Sequence, residues 1–255
     1  MYTVKACWSK REQTAKAWVD SSKGKLRHVV VHIGAGNLRD SRELAAHAQS
    51  IGADAISAVT PTYYKPANED VLMQYMAEVA AAAPETPFYY YDISFVTGVT
   101  VNVTRFLELA KGKIPTLVGV KHSSLDLSDQ QSILLLEDGK YQVMIGTFDG
   151  YLPALSYGVD VPLAPPFAGD IYHALKTAYD AGDFVTAKEN QVKTVTLTRI
   201  VKKHGGKDKF PAAVKTTFSM LSGVEAGPVR LPLLGLTSSE KAALREELKS
   251  AGFLE

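Results

Sequence analysis

A single cysteine, Cys7, is the only thiol in 255 residues, so no internal disulfide is possible and the chain suits a reducing compartment. No apolar stretch approaches the roughly 18–20 residues that a membrane span needs, and the first residues lack the apolar core of a secretory signal. Neither sign of charge dominates. Lys plus Arg number 28 against 27 Asp plus Glu, a net charge of +1, which leaves no basic field to hold nucleic acid or an anionic membrane. Histidines show no metal-ligand spacing: His28 and His32 lie four apart on one predicted strand, and His122 belongs to no cluster, so no metal is assigned. Gly34-x-Gly36 follows a strand, but Arg39 stands where a dinucleotide fingerprint needs its third glycine, and no nucleotide is assigned. The basic run Lys202-Lys203-His204 with Lys207 and Lys209 reads as a solvated helix end. Fixed-period repeats and low-complexity segments are missing too. These absences leave a cytoplasmic globular protein whose partner is a small neutral or mildly acidic molecule.

What is present is enough apolar residue, 46% of the chain, to bury a full core. From residue 28 onward, short β-branched runs alternate with longer amphipathic stretches, the pattern of a parallel sheet with crossover helices. Strands are predicted over 28–33, 55–59, 87–91, 116–120, 142–145 and, weakly, 159–163. Helices are predicted over 8–20, 41–51, 69–83 and 103–110, with Asn102 or Ser41 as N-caps. Beyond residue 170 the chain changes to helices over 170–181, 184–204, 211–221 and 238–250, broken at Gly205-Gly206 and across 227–232. The fold expected is an α/β (β/α)8 barrel in residues 1–182 with a helical extension in 183–255. Six predicted strands against eight imply a barrel lacking its first strand-helix-strand unit, which would occupy roughly 30 residues.

Chemistry in such a barrel sits at the carboxyl ends of the strands. Two predicted strands end in Phe88-Tyr89-Tyr90-Tyr91-Asp92 and in Gly119-Val120-Lys121-His122-Ser123. A lysine amine whose pKa is lowered by burial can condense with a keto group, and a neighbouring phenol can pass a proton. Lys121 and Tyr91 are the candidate catalytic pair. Tyr89 and Tyr90 read as core aromatics.

The segments Val29-Val30-Val31-His32-Ile33-Gly34-Ala35-Gly36, Ile51-Gly52-Ala53-Asp54-Ala55, 88–97 and 227–232 closely resemble the pyruvate-aldolase family of N-acetylneuraminate lyases and dihydrodipicolinate synthases, in its animal-type branch. The resemblance runs from about residue 8 to the C-terminus. It implies a class I aldolase that cleaves N-acetylneuraminate to pyruvate and N-acetylmannosamine through a lysine Schiff base, without metal or organic cofactor, as a homo-oligomer, a tetramer by family analogy. Lys121 matches the Schiff-base lysine, and Tyr91 matches the tyrosine of Tyr-x-Ile-Pro, with Ser94 in place of the proline. Ser123 matches a hydroxyl near the substrate carboxylate. Gly146 and Asp149 match groups that bind the sugar's hydroxyl tail, and Tyr63 matches a tyrosine that reaches towards a neighbouring subunit's site.

Departures accompany these matches. The family's Gly-Thr-Thr-Gly-Glu carboxylate-binding loop has no counterpart, and residues 1–5 stand in about that place. Phe148 takes the position of a second acidic residue, and Ala164-Pro165-Pro166-Phe167-Ala168 that of Gly-Ser-Thr-Tyr-Asn. Two alternatives therefore stand beside sialic acid cleavage: a catalytically silent interaction subunit, and a pyruvate aldolase with a different aldehyde.

Overall fold

The computed structural model describes residues 2–124, 126–146 and 149–255, with side chains from residue 8 onward. Its elements run in the order α1 (Tyr2–Ser22), β1 (Val30–His32), α2 (Leu38–Ser50), β2 (Ala55–Val59), α3 (Glu69–Ala80), β3 (Phe88–Asp92), α4 (Ser94–Thr97), α5 (Val103–Ala110), β4 (Leu117–His122) and α6 (Leu127–Leu135). Then come β5 (Gln142–Ile145), α7 (Tyr151–Leu155), β6 (Val161–Pro162), α8 (Gly169–Asp180), α9 (Phe184–Gly205), α10 (Phe210–Ser222) and α11 (Ser238–Ser250). Among the described residues the strands form one six-stranded sheet in sequence order, β1 to β6. The pairs β1–β2, β2–β3 and β3–β4 are parallel, as helical crossovers require.

Two compact units divide the chain: Met1–Met144 with Gly158–Asp160, and Ile145–Tyr157 with Val161–Glu255. In the first, short polar side chains start the helices. Asn37, Asn68 and Asn102 accept from the backbone N–H of Asp40, Val71 and Arg105, and Asp126 accepts from Ser128 and Asp129. Asn37 therefore caps α2 where Ser41 was expected. Ser41 is instead buried one turn into the helix and accepts from the Ala35 N–H. Each crossover helix buries one stripe, such as Leu72, Met76 and Val79 on α3 or Val103, Phe106 and Ala110 on α5.

Alternation along β3 sorts its aromatics. Phe88, Tyr90 and Asp92 are buried beneath the helices, with the Tyr90 ring 4.7 Å from that of Phe106, while Tyr89 and Tyr91 take the opposite face. Between β3 and β4 the register slips by one residue: Phe88 pairs with Leu117 but Tyr89 with Gly119, leaving Val118 extra. Gly119 must be glycine, because a Cβ there would overlap the backbone carbonyl oxygen of Gln142 on β5.

The second unit is helical apart from its strand residues. α8, α9, α10 and α11 enclose Leu175, Leu197, Ile200, Val201, Ala213, Leu244 and Leu248. Gly205 ends α9 where a Cβ would lie 2.7 Å from Phe210 Cα, so the turn into α10 needs its small size. The basic run is ion-paired: Lys203 and His204 share Glu247, and Lys209 meets Glu240 at 2.6 Å. β1 is shorter than expected, and α4, α6 and α7 are elements that the apolar spacing did not reveal.

Candidate active site

In the β3–β4 register Tyr91 stands directly opposite Lys121, and Asp92 opposite His122. Paired residues of a parallel sheet share a face, so the amine and the ring meet: Lys121 Nζ lies 3.6 Å from the centroid of the Tyr91 ring. The ammonium here is half-buried and has lost part of its hydration. Burial lowers the Lys121 pKa from its ordinary value of 10.5 to about 8.

Burial also raises the Tyr91 pKa; a hydrogen bond with Ser123 works against that rise, and the charge of Asp92 adds to it. Tyr91 is consequently a neutral phenol at physiological pH, ready to donate. Ser123 is buried just beyond β4, its backbone N–H donating to the Asp92 carbonyl at 3.1 Å. His32, on the last residue of β1, meets the Tyr91 ring edge-on at 5.8 Å and hydrogen-bonds Ser57 Oγ through Nδ1 at 3.2 Å. His32 is exposed by surface area, but desolvation by the surrounding protein, with the charges of Arg11 and Lys121, lowers its pKa to about 4, so the ring is neutral. Arg11, on α1, donates from Nη2 to the carbonyls of His32 at 2.9 Å and Gly34 at 3.1 Å, which covers the outer edge of β1.

Lys121, Tyr91 and Ser123, three of the residues singled out in the sequence, are thus neighbours, and His32 is a further one that a scan for metal spacing passed over. The signal for it was available: a histidine ending a strand two places before Gly34. Gly146 and Asp149 fall in the second unit. Gly146 follows β5, and Asp149 pairs with Lys202 at 2.9 Å through Oδ2, while its buried Oδ1 has no hydrogen-bond partner. Tyr63, on the loop after β2, is 82% exposed and packs edge-on against Tyr64. Phe148 lies outside the described residues, as do the side chains of the first residues that stand in the place of the carboxylate loop. Among the described residues no group of three or more His, Cys, Asp or Glu could hold a metal ion, and no helix is long and apolar enough to cross a membrane.

Residues 4–251 match the model of the dihydrodipicolinate synthetase family. N-acetylneuraminate lyase of Gallus gallus is 36% identical over 244 residues, covering 94% of this chain and 78% of that protein. The Homo sapiens enzyme of the same name is 35% identical over 249 residues, covering 96% and 77%. Among solved structures, Proteus mirabilis N-acetylneuraminate lyase superposes with a TM-score of 0.89 at 32% identity, over 97% of this chain and 82% of its own. A superposition of that extent identifies the parallel sheet with its helices as the (β/α)8 barrel fold, followed by a mostly helical C-terminal part.

Proposed function

Because the chain belongs to the dihydrodipicolinate synthetase family, a family of lyases of the aldolase type, we propose that it is a class I aldolase cleaving N-acetylneuraminate to pyruvate and N-acetylmannosamine. The observation that carries this reading is the half-buried amine of Lys121, 3.6 Å from the Tyr91 ring and with its pKa lowered to about 8.

In this reading the neutral amine attacks the keto carbon of the open-chain sugar and water leaves, giving a protonated imine. The Tyr91 oxygen takes the proton of the sugar hydroxyl next to the scissile bond as the phenol gives its own to the substrate carboxylate, so the ring relays one proton and stays neutral. As that hydroxyl becomes the aldehyde of N-acetylmannosamine, the carbon-carbon bond breaks and its electron pair flows into the imine, forming an enamine on Lys121. Protonation of the enamine carbon and hydrolysis release pyruvate and restore the amine. Ser123, hydrogen-bonded to the phenol, orients it and faces the carboxylate end of the substrate. Asp149 and Gly146 take the hydroxyl tail. The lysine supplies the electron sink, so neither metal nor organic cofactor is required. Exposed Tyr63 supports a homo-oligomer, a tetramer by family analogy, and the protein is assigned to the cytoplasm. The division into a barrel portion, 1–182, and a helical extension, 183–255, belongs to the same proposal.

A second reading keeps the lysine chemistry and changes the aldehyde. By sequence, Phe148 stands where the family has a second acidic residue and Pro165 falls within the stretch that replaces Gly-Ser-Thr-Tyr-Asn, which favours a less hydroxylated tail. Borohydride reduction of the protein with pyruvate or N-acetylneuraminate, followed by intact mass, tests both against Lys121→Ala. A Lys121-dependent pyruvyl adduct from both ligands is expected. An adduct from pyruvate alone selects the second reading, and none from either, in folded protein, sinks both.

A further inference from the structure

Behind the reactive pair lies a charged cluster that the proposed reaction does not use. His122 follows Lys121, Asp92 follows Tyr91, and alternation turns both away from the amine and towards the helices. His122 is 2% exposed, and its ring is held at both nitrogens: Nδ1 to Asp92 Oδ2 at 2.9 Å and Nε2 to Asp129 Oδ2 at 2.8 Å. Ionised carboxylates only accept, so an imidazole between two of them must donate twice and is an imidazolium. Burial would push its pKa down, but hydrogen bonding and charge from Asp92, then Asp129, outweigh that and raise it. Breaking such a pair leaves an uncompensated buried charge.

We propose that Asp92, His122 and Asp129 form a positioning clamp: His122 ties the ends of β3 and β4 to α6 and so keeps the Tyr91 ring over the Lys121 amine. The inference rests on the aldolase reading for its effect on turnover, but the clamp itself can be tested without substrate. The charged and titratable groups around the pair are Tyr91 and Asp92 on β3, His32 on β1 with Arg11 of α1 beside it, and Asp129 on α6. Loss of the clamp frees the ring and lets water in under it, and the regained hydration moves Lys121 towards an ordinary lysine.

Reductive methylation with formaldehyde requires the neutral amine, so mass-mapping Lys121 across neutral to alkaline pH reads its titration with no substrate present. In His122→Gln the midpoint is expected to rise, and the rate at neutral pH to fall about tenfold for each pH unit by which the midpoint moves up. Asp129→Ala, at a carboxylate 32% exposed, tests the clamp if His122→Gln does not fold, and Asp129→Asn, which keeps an oxygen for Nε2–H, should restore most of the wild-type profile. A wild-type midpoint in the folded His122→Gln and Asp129→Ala proteins overturns the clamp, because a residue that only adds stability would lower the melting temperature and leave the midpoint in place. In turnover the same variants should lower kcat with KM little changed. Absence of a pyruvyl adduct in the wild type would instead refute the aldolase reading and leave the methylation result standing.

Discussion

Tyr91→Phe removes one oxygen and leaves the ring. The ring face lies 3.6 Å from Lys121 Nζ, so the cover that excludes water from the amine persists and the lysine stays at about 8. With that pKa roughly one amine in eleven is neutral at pH 7, against roughly one in three thousand for a free lysine, a gain of about 300-fold in nucleophile. Imine formation with pyruvate, followed as the rate of borohydride-trapped adduct, should therefore rise with a midpoint near pH 8 in both wild type and variant. Cleavage is a different matter. It needs the phenol to relay the proton of the sugar hydroxyl, and positioned acid–base groups contribute about 10²–10⁴-fold, so pyruvate release from N-acetylneuraminate should drop by that factor. The two rates come apart in one protein. A trapping midpoint near that of a free lysine would refute desolvation by the ring as the cause of the low pKa, and cleavage within about twofold of wild type would remove Tyr91 from proton transfer.

Gly119→Ala drives a Cβ into the Gln142 carbonyl, and the strand must shift; a loss of about 1–3 kcal/mol is expected in a denaturant titration, with an unchanged midpoint counting against the close β4–β5 approach. The His122 pKa is higher folded than unfolded, so the native state holds that proton more tightly. Its stabilising contribution is complete below about pH 6.5 and is lost as pH rises through the folded value; melting temperatures of the wild type should fall as pH rises through that value, and those of His122→Gln should fall less. Thr237→Ala removes one half of a capping box, since Thr237 accepts from Glu240 N–H and Glu240 accepts from Thr237 N–H. A cost of about 0.5–2 kcal/mol is expected, and thermal unfolding indistinguishable from wild type would show that α11 does not depend on its cap.

The strands that carry the candidate pair were legible because buried parallel strands read as short β-branched or aromatic runs. Ala55–Val59 and Gln142–Ile145 coincide with their predicted limits, and β3 and β4 extend one or two residues past theirs, enough to take in Asp92 and His122. Helices with a polar starter and one apolar stripe, such as Val103–Ala110 and Ser238–Ser250, were equally plain. α4 and α7 are too short to show a period. α6 is capped by Asp126 and buries Gln130 along with Ile133, so its inward face is not an apolar stripe. Lys121 and Tyr91 were readable from their place at strand ends. The clamp was not, because Asp129 reaches His122 from another element and a linear scan has no way to bring the two together.

The register slip at Val118 decides which partner the amine receives. Had Phe88 and Leu117 set the pairing for the whole strand, Tyr91 would face Val120 and Lys121 would face Asp92. An amine against a carboxylate holds its proton more strongly than a free lysine does, and at neutral pH it would be an ion pair with no lone pair to offer. One unpaired residue, three positions before the lysine, thus separates an ion-paired amine from a desolvated one over an aromatic ring. Insertion or loss of a single residue in that stretch would change the reactivity of Lys121 while every side chain at the site kept its identity.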